Sequence, residues 1–387
     1  MVPAINPTTG SARLRSLDIL RGAVMLLMAI DHVRVYSGVP AGGPSPGIFF
    51  TRWVTHFCAP AFVFLAGTSA FLYAKKTGNK NSLSQFLLTR GLLLVVLELT
   101  LIRFFWTFNF NYSDFVLAGV IWMLGWCMIL MAALSRLPTL AVGITGIAII
   151  CFQQLFHYVP SLLPGSLQKI IGPVWEFIYP SGSKSVAGIN VLYVIVPWIG
   201  VMATGYAFGT LLLREPATRK RLCLIIGLSA IAIYIITGSI IALQQPTDND
   251  ALPFLFRLLA QRKYPASPLY LLMTLGPLIA LLPFAEKVTG WLARALSTIG
   301  SVPMFYYLLH ILLIHISALL VTFLREGSLH PEWYASAPYT FLPEANRWPL
   351  GLLYLVFAID VVILYIACNW YARYKFNHPK NKWLKYL

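Results

Sequence analysis

Charge is what this sequence has least of. Asp, Glu, Lys and Arg make up 11% of its 387 residues, against 58% apolar, whereas soluble globular chains carry roughly 25% charged residues. A soluble core cannot absorb so much apolar side chain. Lipid can, because a helix satisfies its own backbone hydrogen bonds there. Acidic residues are scarcer still, 13 against 29 Lys and Arg, for a formal net charge of +16. The basic residues do not form a groove for a phosphate backbone. They sit in short segments between apolar runs and in 373–385, a positive-inside bias that argues against nucleic acid as a partner.

Other absences narrow the chemistry. Five cysteines (Cys58, Cys127, Cys151, Cys223 and Cys368) lie in apolar stretches without CxxC spacing, so they read as small buried hydrophobes, not disulfides or zinc ligands. No HExxH or similar spacing occurs, so no metal is expected. No GxGxxG or P-loop offers a nucleotide site. No internal repeat or soluble domain is visible, and no cleavable signal is expected, since the first apolar run is long and flows straight into the rest.

What is present is a series of stretches long enough to span a bilayer, about 20 residues each: 17–36, 52–73, 86–106, 115–134, 139–156, 190–213, 222–243, 268–284, 299–323 and 350–371. The expected fold is an all-α polytopic membrane bundle of about ten transmembrane helices over 17–371. A cytoplasmic N-terminal segment, 1–16, precedes it, and a basic cytoplasmic tail, 372–387, follows. About 18 Lys and Arg fall on one side and about nine on the other, which sets both termini in the cytoplasm. The long segments 157–189, 244–267 and 325–349 then lie outside, where irregular segments more often carry function. Within them, 252–264 is expected to form a short interfacial helix with Arg257, Arg262 and Lys263 on its polar side.

Ionisable side chains within spans are costly and face a bundle interior or a wet cavity. In the first stretch Asp18, Arg21, Met25, Met28 and His32 recur every three or four residues and share one face. Asp31 and Arg34 are placed to pair beside them. Arg52 and His56 stand at i, i+4 on the second stretch, so His56 reaches a depth similar to that of His32. The ninth stretch carries Tyr306, Tyr307, His310 and His315. His310 and His315 point roughly 140° apart and do not serve one ligand. The third holds Glu98 and Arg103. Blander roles stand beside these: His315 as a structural hydrogen-bonder, Asp31–Arg34 and Glu98–Arg103 as ion pairs, Arg52 snorkelling to the interface.

The run from Arg13 and Arg15 through L-D-I-L-R-G (Asp18, Arg21, Gly22) to Asp31, His32 and Arg34, then Arg52, His56, Pro60 and Gly67, is similar to bacterial relatives of heparan-α-glucosaminide N-acetyltransferase. The stretch from Gly300 to His310 resembles a late helix of the same group. The opening motif also resembles the acyltransferase-3 membrane proteins that O-acetylate polysaccharides. The resemblance implies an acetyl-CoA-dependent N- or O-acetyltransferase of a bacterial inner membrane. It would move an acyl group from cytoplasmic acyl-CoA to an extracytoplasmic saccharide acceptor, and a homodimer is compatible with the family. His32 falls where the acyltransferase-3 pattern places its helix-one histidine. In the heparan enzyme that position looks like asparagine and the active histidine falls in the next loop. Here 36–50 contains no histidine, and the next is His56.

The residues suit such chemistry. Acyl transfer from a thioester needs a base for the acceptor and donors for the tetrahedral oxyanion. His32 is the candidate base, oriented by Asp31 or another carboxylate. His56 or Arg52 is the candidate for the oxyanion or the acceptor, with Arg34 and His310 on the acceptor side. Arg90, Arg13, Arg15, Lys75 and Lys76 are candidates for the CoA phosphates, and Arg21 for guiding the pantetheine arm. The main rival reading is a proton-coupled transporter or flippase using the same intramembrane charges. A structural subunit or sensor is a third, which leaves the charged face of the first helix without a purpose.

Overall fold

A computed structural model describes residues 15–42, 45–113, 115–182, 186, 188–244, 253–381 and 384; Arg13 lies outside them. Each of the ten apolar stretches contains a helix. In chain order the helices are α1 (Arg15–Tyr36), α2 (Pro46–Thr77), α3 (Lys80–Thr107), α4 (Val120–Leu134), α5 (Thr139–Cys151), α6 (Gly165–Trp175), α7 (Trp198–Phe208) and α8 (Pro216–Gln244). Then come α9 (Phe254–Leu259), α10 (Pro268–Ala285), α11 (Gly290–Ser301), α12 (Pro303–Glu326) and α13 (Leu350–Asn377). Strands β1 (Val116–Ala118) and β2 (Ile189–Val191) pair in parallel. Among the described residues six helices (α2, α3, α8, α10, α12 and α13) are long and apolar enough to cross a membrane. Helices α4 and α5 are shorter and apolar, as is Trp198–Leu213, which contains α7. The 22 residues of α1 include Asp18, Arg21, Asp31 and Arg34, so charge rather than length sets it apart.

Local chemistry explains where the boundaries depart from expectation. Helix α2 starts at Pro46, not at 52, because Ser45 Oγ accepts from the Ile48 amide and Pro46 suits the first turn. It tightens into a 3₁₀ turn at Val54–Phe57. Gly78, at φ 64°, then ends α2, and the Asn79 side chain caps α3 through the amides of Asn81 and Ser82. The stretch expected to run unbroken over 299–323 is two helices, since Pro303 has no N–H to continue α11 and instead opens α12. Helix α3 contains a π turn at Glu98–Ile102. The interfacial helix expected over 252–264 is confined, among the described residues, to the six of α9.

Helix α1 lies at the centre, contacted by α2, α10, α11, α12 and α13. Its crossing with α11 is close. A Cβ on Gly22 would collide with the Leu296 carbonyl, and one on Gly300 with the Asp18 carbonyl. Small residues let helix backbones approach this closely where lipid offers no hydrophobic drive for association. The outer faces of α8 and α13 leave Ile233, Ile236, Ile240, Val362 and Ile366 exposed, as a lipid-facing surface requires.

Candidate active site

Two cavities meet beside α1. The larger, about 760 Å³, reaches from Lys75, Lys76, Arg90 and Lys375 at one end of the bundle, past Arg21, to Asp31 and His32. The second, about 440 Å³, runs from Asp31 and His32 to Arg34, Arg52, Glu98, Trp106, Tyr264 and Tyr339. Asp31, His32, Val120, Tyr193, Lys263 and Tyr307 line both. One cavity is therefore basic at its mouth and apolar within; the other is rich in aromatic and polar groups. Their common wall holds a histidine.

That histidine is oriented by another. His32 Nδ1 lies 2.7 Å from His310 Nε2, and the two rings stack with centroids 4.8 Å apart. Trp106 meets the His32 ring edge-on at 4.7 Å. His310 Nδ1 faces the backbone carbonyls of Tyr307, at 2.5 Å, and Tyr306, at 3.1 Å. Carbonyl oxygens only accept, so His310 Nδ1 carries a proton and, in the neutral ring, Nε2 accepts. His32 Nδ1 must then donate. Its Nε2 remains as a lone pair with no hydrogen-bond partner among the described residues. The tautomer follows from the network. A half-buried imidazole fixed in this way is arranged as a proton acceptor.

Asp31 does not orient His32. Its carboxylate binds the Arg34 guanidinium at 3.0 and 3.2 Å, and Arg34 also donates to the Val39 carbonyl at 2.9 Å. The pair closes the end of α1, while adjacent positions on a regular helix do not face one another. His56 lines neither cavity. Its ring sits against Tyr270, 5.5 Å between centroids, and its carbonyl accepts from the Tyr270 hydroxyl. Arg52 lines the second cavity and donates to Thr55 Oγ1 at 3.0 Å. His315 is buried at the Phe105 carbonyl, 2.9 Å, remote from His310 in role.

At the basic end Lys75, Lys76 and Arg90 line the larger cavity, with Arg90 5.8 Å over the Phe86 ring. Arg15 is exposed at the start of α1 and lines neither cavity. Arg21 borders the larger cavity, yet its guanidinium binds Asp18 at 3.0 Å, the Gly300 carbonyl at 3.0 Å and Ser69 Oγ at 3.1 Å. Those bonds tie α1, α2 and α11 together beside the channel.

Three features escaped sequence reasoning. Lys375 joins the basic mouth from the far end of the chain. Glu98 does not pair with Arg103. Its carboxylate accepts from the Ile121 and Trp122 amides at the start of α4, and a Cβ on Gly119 would collide with it. Arg103 instead holds the carbonyls of Asn109, Asn111 and Phe115. Lys263, expected on a solvated helix face, is only 6% exposed and lies against the rings of Tyr264 and Tyr193. Its place among aromatics after a Pro- and Leu-rich segment is the only sequence sign of this.

Long apolar helices around a half-buried histidine that lines two cavities define an integral membrane protein built for chemistry within the bundle. Residues 13–242 match the family described as heparan-alpha-glucosaminide N-acetyltransferase, catalytic. The match covers 230 of the 387 residues, and the chain belongs to this family; it is a membrane acetyltransferase. No curated protein matches the chain. The matched region includes His32, Arg52 and the basic residues of α2 and α3, and leaves Lys263, His310 and Lys375 outside it.

Proposed function

We propose that the protein takes acetyl-CoA at its basic end and passes the acetyl group to the hydroxyl or amine of a saccharide entering the second cavity. The observation that carries this is the position of His32 in the wall common to both cavities. In this reading all ten helices of the apolar stretches span the bacterial inner membrane and both termini are cytoplasmic. The excess of Lys and Arg at the donor end supports that orientation. Lys75, Lys76, Arg90 and Lys375 meet the CoA phosphates, and the apolar walls hold the pantetheine arm. Trp106, Tyr264 and Tyr339 offer flat faces to a sugar ring, and Arg52 and Glu98 offer it polar contacts.

The reaction needs no covalent enzyme intermediate. His32 Nε2 takes the proton of the acceptor O–H or N–H as the heteroatom attacks the thioester carbonyl. Collapse of the tetrahedral adduct expels the CoA thiolate, which recovers the proton from the imidazolium. The chain separates donor from acceptor until both meet at one base.

The test is acetyl-CoA turnover by purified protein in proteoliposomes, with donor and a panel of amino and neutral sugars on opposite sides. His32→Ala is expected to abolish transfer while the protein still inserts and runs as a single species. Wild-type turnover by that variant defeats the assignment. Sugar transport without CoA release favours a transporter.

A further inference from the structure

We propose that Lys263 is a catalytic residue of this site, its ammonium group stabilising the oxyanion formed at the thioester carbonyl. The inference rests on the acetyl-transfer reading and adds to it the electrophilic partner that His32 lacks. Among the described residues Lys263 is the one cation lining both cavities. Arg34 is committed to Asp31 and the Val39 carbonyl. Arg52 lies on the acceptor cavity alone, and Arg21, Lys75, Lys76, Arg90 and Lys375 on the donor cavity alone.

The local fold holds Lys263 there and leaves its donors unspent. It sits in a tight turn, bridged to Ala266, which is fully buried. Ser267 closes that turn by donating its amide to the Arg262 carbonyl at 3.0 Å, and its Oγ caps α10 by accepting from Tyr270. The ammonium lies 5.3 Å from the Tyr264 ring centroid and 5.8 Å from that of Tyr193, the two rings meeting edge-on beside it. Tyr193 is fixed by its amide, which donates to the Ala118 carbonyl at the end of β1. Aromatic faces stabilise a cation without consuming its N–H groups. No hydrogen bond or ion pair joins the Lys263 ammonium to another described residue. An ammonium that faces both cavities with its donors unpaired is placed to meet an arriving anion, and a positioned cation acts most strongly on charge that develops in a water-poor site.

The step balances. The acceptor heteroatom bonds to the carbonyl carbon and its proton moves to His32 Nε2. The C=O π pair becomes the oxyanion facing Lys263. That pair then reforms the carbonyl as the C–S bond breaks, and the thiolate takes the proton from His32. Lys263 keeps its proton throughout.

The experiment measures thiol release from acetyl-CoA by the full-length protein in proteoliposomes, with glucosamine or water as acceptor. Lys263→Met is expected to lower kcat by roughly 10²–10³-fold, with KM for acetyl-CoA changed by less than about threefold. Ethylammonium is expected to restore turnover to Lys263→Ala in a saturable way. An unchanged kcat, a rise in KM alone, or a loss that ethylammonium does not relieve overturns the proposal. His32→Ala assayed alongside separates the two claims: an inactive His32→Ala with an active Lys263→Met removes only the role of Lys263, whereas an active His32→Ala removes the reading beneath it.

Discussion

Gly300 lies so close to Asp18 that a methyl group on it would strike the Asp18 carbonyl oxygen, and Gly22 stands in the same relation to Leu296. The glycine that closes the L-D-I-L-R-G motif therefore serves helix contact, while Arg21 beside it binds the Gly300 carbonyl. Substituting Gly22→Ala or Gly300→Ala is expected to push α1 and α11 apart and to destabilise the protein by about 1–3 kcal/mol or more. A lowered melting temperature in detergent is the readout. Gly165→Ala, where nothing lies within 4 Å of the added methyl, serves as the neutral control.

His310→Phe keeps a ring of similar size but removes the acceptor for His32 Nδ1–H. The His32 ring is then free to adopt the other tautomer, with the proton on the nitrogen that must receive one. Turnover is expected to fall by roughly 10²–10⁴-fold with KM for acetyl-CoA little changed. A variant that keeps its kcat removes His310 from the mechanism.

Glu98 satisfies two buried amides at the start of α4. Glu98→Ala leaves both without a partner, which costs about 1–3 kcal/mol per group. Glu98→Gln keeps an acceptor oxygen and is expected to recover most of that loss in thermal melts. If the two variants melt alike, the cap contributes nothing.

Charge reversal at Arg90 and Lys76 is expected to raise KM for acetyl-CoA and to leave kcat nearly intact, because on the proposed reading the phosphates bind far from the reacting bond. Wild-type affinity should also fall with ionic strength, since these mouth residues are partly open to solvent. Acetyl-CoA at about 100 times its Kd should stabilise the wild type by about 2.7 kcal/mol and the reversed variant by less at the same concentration. Equal thermal shifts across the pair place the donor elsewhere.

Much of the bundle was legible because an apolar run of about 20 residues has few fates. The positions of the helices follow from it, as does the pairing of Asp31 with Arg34, three residues apart on one helix. The break at Pro303 was harder, since a proline is tolerated in a membrane helix and also opens one. The partnership of His32 with His310 spans 278 positions, and no local pattern encodes it. Periodicity assigned Lys263 to a wet helix face because Arg257 and Arg262 precede it. Its burial is set instead by the turn anchored at Ser267 and by Tyr193, contributed from another part of the chain. Glu98 and Arg103 looked like an ion pair by spacing, but the π turn and the bare start of α4 gave the carboxylate a better partner.

The wall common to the two cavities carries one more obligation. On the membrane-spanning reading, the two cavities open toward compartments held at different voltages, and each elementary charge that crosses 100 mV gains or loses about 2.3 kcal/mol. On that reading Val120, Tyr193 and Tyr307, which line both cavities, act as electrical insulation between them. Trimming Tyr307 to alanine should make proteoliposomes leak protons even without acetyl-CoA. An enzyme of this design is selected as much for what it keeps from crossing as for the group it transfers.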